Sequence, residues 1–405
     1  MDYSFLLLLA VILLSTKFLG GLSERVNMPQ VVGALIAGVI LGPSVLNIAH
    51  ETDFLEKTAE IGVILLMFMA GLDTDLKEIK KNSVSFMVIA TIGVIAPLIL
   101  GAGCYFFYFH VDPGDSEAML RALFIGVILT ATSVSITVEA LREMGKLDSR
   151  VGSAILGAAV IDDILGIITL TIVFSLKDPE ISILSILVKI GIYAFLVCLG
   201  FILVQSQKPF LDRIRDKRRF SIYIMAILLI VAFVSEKFFG IADITGAYLF
   251  GLSLSNLKSK SHIAKKFTVP GYLFFSPVFF ASIGIKTELN GLTKSLLVFS
   301  LLLLAAAVVS KIIGCGLGAK ICGYSTKESL DIGLGMISRG EVALIIAQKG
   351  HAMGLLDKSL FSPVVLVVII TTIVAPVLLK HSMKEKKDKK EIPVKGQNKE
   401  NLIAG

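Results

Sequence analysis

Apolar runs of membrane-spanning length recur from one end of this chain to the other, and they leave few folds open. Each run is ~20 residues long and unbroken, the length an α-helix needs to cross the hydrocarbon core of a bilayer. A transmembrane β-barrel would instead alternate polar and apolar residues at every second position, and these runs do not. With 55% hydrophobic and 18% charged residues over 405 positions, a soluble globular enzyme is excluded as well. The fold class is all-α and polytopic.

Cutting at polar junctions predicts thirteen transmembrane helices, at about 4–22, 29–48, 54–73, 83–109, 119–141, 150–176, 181–205, 220–236, 240–256, 268–285, 292–319, 326–349 and 359–379. The first run follows only Met1, Asp2, Tyr3 and Ser4, with no basic leader and no clear small-residue cleavage site, so it reads as a retained helix. Residues 1–380 are expected to form one transmembrane domain, and 381–405 a short, basic, disordered tail. The net charge of +7 is concentrated on alternate loops, in QKPFLDRIRDKRR (207–219), LKSKSHIAKK (257–266) and KEKKDKKE (384–391). The positive-inside rule then puts the N-terminus outside and the C-terminus in the cytoplasm. These clusters are read as a cytoplasmic face beside anionic lipid, not as a nucleic-acid surface.

Two segments depart from the Leu, Ile and Val of ordinary membrane helices. The fifth carries LTATSVSIT (129–137) and the twelfth GLGMISRGE (333–341), both rich in Gly, Ser or Thr at mid-membrane depth. An offset of seven helices inverts the second copy, which is the inverted-repeat plan of secondary transporters with two interrupted, crossing helices.

Ionisable residues at that depth are few: Asp162, Asp163, Lys311, Arg339 and Glu341 are central, while Lys17, Glu60, Glu139, Lys189 and Asp331 lie nearer helix ends. A charge at the bilayer centre costs at least ~2.5 kcal/mol on insertion scales, so such residues persist where they face partners or water. Adjacent residues on a helix point ~100° apart, so Asp162 and Asp163 cannot share one direction. Lys311, mid-helix in AAAVVSKIIGCGLG, is the natural partner for one aspartate and leaves the other to meet an ion. Backbone carbonyls freed by unwinding, with the hydroxyls of Thr130, Thr132 and Ser133, are the hard oxygen donors a small cation prefers. A cation and a proton then compete for one carboxylate. Arg339 and Glu341, two residues apart at the second break, are expected to neutralise helix ends, with Glu341 reaching Lys311 as well.

The four cysteines show no zinc or redox spacing, and the five histidines lie near segment ends. GCGLGAK (314–320) lies in an apolar helix without a preceding strand, so it is a helix-packing stretch and not a phosphate-binding loop. No nucleophile, metal or cofactor constellation supports an enzyme.

ATSVSIT in the fifth helix, AAVIDDILGI in the sixth, the lysine of the eleventh and SRGEVALIIA in the twelfth together resemble the bacterial monovalent cation:proton antiporters of the NapA, Kef and GerN kind, over about residues 5–380. The resemblance implies a homodimer in the cell membrane, a moving ion-carrying core working as an elevator, and no cofactor beyond the transported ions. It implies that Asp163 binds the ion and proton, that Asp162 is its partner paired with Lys311, that Thr130 and Ser133 lie near the ion, and that Arg339 and Glu341 are the charge-compensating pair. The double aspartate resembles the electrogenic Na+/H+ exchangers, whereas the glutathione-gated Kef systems have Gln at the first position. Na+ is the expected cargo, with Li+ and K+ as alternatives. A K+/H+ efflux antiporter and, more distantly, a sodium-coupled solute symporter are the rival functions.

Overall fold

A computed structural model describes residues 4–178, 183–213, 217–286 and 293–384; the expected tail lies almost entirely outside them. The described residues form helices α1 (Ser4–Arg25), α2 (Gln30–Leu41), α3 (Asp53–Asp73), α4 (Leu76–Tyr108), α5 (Ser116–Thr130), α6 (Val134–Glu143), α7 (Arg150–Lys177), α8 (Ile183–Ser206), α9 (Lys208–Leu211), α10 (Lys217–Phe239), α11 (Asp243–Leu254), α12 (Lys260–Pro270), α13 (Ser276–Ile285), α14 (Lys294–Ile321), α15 (Thr326–Gly335), α16 (Glu341–Ala352) and α17 (Lys358–Ser382). A five-residue π-turn, Gly271–Phe275, joins α12 to α13. Among the described residues, nine segments are long and apolar enough to cross a membrane. The count of thirteen is not established by that criterion: α2 and α11 have 12 residues each, the expected helix at 326–349 is split into α15 and α16, and α3 is not among the nine.

Polar residues at the junctions start the helices. Thr52, Asp115, Ser149 and Thr293 each accept a backbone N–H of the first turn, and Ser325 forms a reciprocal capping box with Glu328. The basic loop at 207–219 contains the short helix α9, which hydrophobic periodicity could not show in four residues.

The helices fall into two bundles. In one, α3 packs on α11 and α13, α1 on α2, and α2 on α13. In the other, α4 lies centrally against α5, α7 and α14, while α14 also meets α15 and α17. Helix α8 touches both α7 and α11, and only Tyr193 along it is buried, as expected of a helix facing lipid. Small residues let backbones approach: a Cβ on Gly71 would stand 2.0 Å from the Tyr248 carbonyl oxygen, and one on Gly251 2.1 Å from that of Phe68, so α3 and α11 cross where both lack side chains.

Both Gly/Ser/Thr-rich stretches are interrupted. Helix α5 stops at Thr130 and α6 starts at Val134; α15 stops at Gly335 and α16 starts at Glu341. Between them Ala131 and Ser133 have ψ of 129° and 99°, which a continuing helix cannot have. The two breaks face each other, as an inverted repeat requires.

Candidate functional site

The crossing is held by reciprocal bonds between the breaks. Ser133 donates its backbone N–H to the Ser338 carbonyl at 2.8 Å, and Ser338 Oγ returns a bond to the Ser133 carbonyl, also 2.8 Å. Thr137 Oγ1 donates to the Gly335 carbonyl at 2.7 Å and lies 2.9 Å from Ser338 Oγ. Gly340 permits this approach, since a Cβ there would lie 2.5 Å from Ser133 Oγ. Backbone groups released by unwinding thus satisfy one another instead of being buried unpaired.

Arg339 is fully buried and reaches back to the end of α5, donating to the Ala131 carbonyl at 2.7 Å, with the Thr130 carbonyl at 3.5 Å and Thr132 Oγ1 at 3.4 Å. A cation there meets the negative end of the half-helix dipole. Its own carbonyl accepts from Thr372 of α17. Thr130 Oγ1 turns back on the Val127 carbonyl at 2.8 Å. The unwound carbonyls at 130 and 131 are therefore engaged by a guanidinium here, where the sequence suggested oxygens open to an ion. Glu341 begins α16; its side chain lies outside what is described, whereas Lys311 is engaged by another acid.

Asp162 and Asp163 sit midway along α7 and point to different neighbours, as a 100° step demands. Asp162 is 2% exposed and its Oδ1 takes a bond from Lys311 Nζ at 2.8 Å, with Lys311 0% exposed. The other oxygen, Oδ2, is buried with no hydrogen-bond partner among the described residues. Room for the lysine comes from α4: a Cβ on Gly93 would strike Cys315 Sγ at 2.4 Å and come within 4.0 Å of Lys311 Nζ. Asp163 is only partly buried and faces the other bundle, where Thr245 Oγ1 of α11 donates to its Oδ2 at 2.8 Å.

Sequence reasoning missed two features. Thr245 is one; a lone threonine in an apolar helix gives no signal. The other is a polar cluster joining the bundles at the far end of α3. There Arg142 pairs with Asp73 at 2.9 Å and donates to Tyr272 Oη, which donates to the buried Glu139 at 3.3 Å. Glu143 adds bonds from the Gln30 and Val31 backbone N–H groups at 2.6 and 3.0 Å. The signal for this cluster was present in Glu139 and Arg142, three apart and so on one helix face. Near the opposite end of α3, a cavity of about 550 Å3 separates the bundles, lined by Glu56, Glu60, Glu236, Asp243 and Lys286 among others. Helix α3 is 21 residues, hence ~30 Å, long, so clamp and cavity lie towards its opposite ends.

Residues 9–385 match the family model described as sodium/hydrogen exchanger, transmembrane. The chain belongs to this family. It is 40% identical to the Na(+)/H(+)-K(+) antiporter GerN of Bacillus cereus, over 94% of this chain and 97% of that protein. It is 35% identical to a Na(+)/H(+) antiporter of Enterococcus hirae, over 94% of this chain and 98% of the relative. The fold is similar to that of the sodium proton antiporter MjNhaP1 from Methanocaldococcus jannaschii, with a TM-score of 0.68 at 16% identity over 92% of this chain and 95% of that one. This exchanger-family chain is a membrane protein of the monovalent cation:proton antiporter kind, and its matched region takes in both helix breaks, the aspartate pair and Lys311.

Proposed function

We propose that this protein exchanges Na+ for H+ across the cell membrane, with Asp163 as the shared carrier. The observation that carries the reading is the division of labour on α7: Asp162 is buried on Lys311, while Asp163 faces the seam between the bundles. A carboxylate at a seam can exchange its guest with water on either side if the bundles move, whereas one locked in an ion pair cannot. The hydroxyls of Thr132 and Ser133 and the second oxygen of Asp162 are the further oxygens a cation could recruit. The wedge of clamp and cavity supports alternating access by an elevator-like displacement of the bundle containing α4–α7 and α14–α17 against the other, and the resemblance supports a homodimer.

Orientation follows from charge. Lys260, in the basic 257–266 loop, donates to the Asp73 carbonyl at 3.4 Å, so the clamped end carries the basic loops. The positive-inside rule makes that end cytoplasmic and turns the acidic cavity outward.

Two protons entering per Na+ expelled would move one net charge per cycle, coupled to ~2.3 kcal/mol per 100 mV of membrane potential. The test is proton flux in proteoliposomes after addition of Na+, Li+ or K+, with the potential clamped and then free. Proton movement with Na+ that responds to voltage is the expected result. Movement with K+, the cargo that GerN's name adds, without voltage dependence would replace the reading by electroneutral K+/H+ exchange.

A further inference from the structure

Away from the two helix breaks, most buried threonines in this protein share a habit that Thr245 does not follow. Thr16, Thr58, Thr74, Thr171, Thr371 and Thr372 each donate to the carbonyl four residues back on their own helix, at 2.6–2.8 Å. That is the default for a hydroxyl in an apolar helix. Thr245 stands in the first turn of α11, where the residue four back, Ile241, lies outside the helix. Its hydroxyl is released from local bonding and crosses to Asp163 of the other bundle at 2.8 Å, while the side chain is 3% exposed. The Arg142 clamp supplies polar contacts between these bundles at one end, and Thr245 supplies one at Asp163 itself. The outward cavity reaches the same turn, being lined by Ala242, Asp243 and Ile244 immediately before Thr245.

We propose that Thr245 is a positioning residue that holds Asp163 Oδ2 in place of the cargo: its hydroxyl and the cation compete for one carboxylate oxygen, so each cation that binds from the cavity must displace the hydrogen bond. The inference rests on Asp163 being the carrier. Because the displaced bond is the same whichever ion arrives, it weakens binding of every cation by one common factor and sets affinity without setting selectivity. A liganding oxygen would act differently, since its contribution depends on ionic radius and would change Na+ and Li+ affinities unequally.

The test is calorimetric binding of Na+ and of Li+ to the purified full-length protein, at alkaline pH where affinity has stopped depending on pH and protons no longer compete. Thr245→Val is expected to tighten both cations by the same factor, about three- to tenfold, the value of one hydrogen bond. Thr245→Ser, which keeps the donor, should bind as the unsubstituted protein does, and Thr245→Ala should repeat the valine result if the valine variant folds poorly. Weaker binding, unequal factors for the two ions, or unchanged affinity in the variants lacking the hydroxyl would overturn the proposal. Failure of the underlying reading is distinguishable: cation binding surviving in Asp163→Asn would remove Asp163 as carrier, whereas its loss there with any of the contrary Thr245 results rejects the threonine's role alone.

Discussion

Replacing Asp163 with Asn is expected to abolish cation-driven proton movement in proteoliposomes, a loss of at least ~100-fold, while the protein remains folded. The amide keeps the shape of the side chain and can still meet Thr245 Oγ1. What it loses is the charge that draws a cation from water and the ability to take up a proton at that oxygen. Stability should change little, because Asp163 is only partly buried and is not the partner of Lys311. Thermal unfolding in detergent checks the fold and internal pH after a Na+ pulse checks the exchange.

Replacing Lys311 with Met is expected to have the largest effect on stability. Lys311 and Asp162 are both withdrawn from solvent and joined at 2.8 Å, with side-chain exposures of 0% and 1%. Removing one member of such a pair leaves the other charge uncompensated, typically at ~3–5 kcal/mol, whereas removing both is often neutral. Lys311→Met should therefore lower the unfolding midpoint markedly, and the double variant Lys311→Met with Asp162→Asn should recover most of the loss. If the lysine also contributes to the charge moved per cycle, the variant's residual exchange becomes electroneutral, which the clamped and free-potential flux measurement reads. Equal midpoints for the single and double variants would show that the pair does not act as a unit.

Much of the architecture was legible because the membrane restricts what a sequence can do. Unbroken apolar runs can only be helices, and the two stretches rich in Gly, Ser and Thr could only be tolerated where partners satisfy freed backbone groups. Lys311 was legible because a lysine in the middle of an apolar helix needs an acid. What was hidden depends on direction and distance between segments far apart in sequence. Arg339 could be seen to compensate a helix end, but that it reaches across to carbonyls 130 and 131 follows only from the crossing of the two breaks. Thr245 was invisible because its difference from other threonines is positional: it sits in the first turn of α11, where the residue four back lies outside the helix. Tyr272 of the Arg142 clamp lies in the π-turn, which the sequence did not signal, and the sequence reading began that helix at 268 instead of Lys260. The side chain of Glu341 and the tail from 385 onward lie outside the described residues.

The central claim is that cation and proton compete for one carboxylate. It is tested most directly by adding Na+ to the purified protein in weakly buffered solution near neutral pH and recording proton release with a pH indicator. Release that saturates with Na+ binding and disappears in Asp163→Asn is the result predicted here. Saturable Na+ binding without proton release, or equal release from the Asp163→Asn protein, would contradict it.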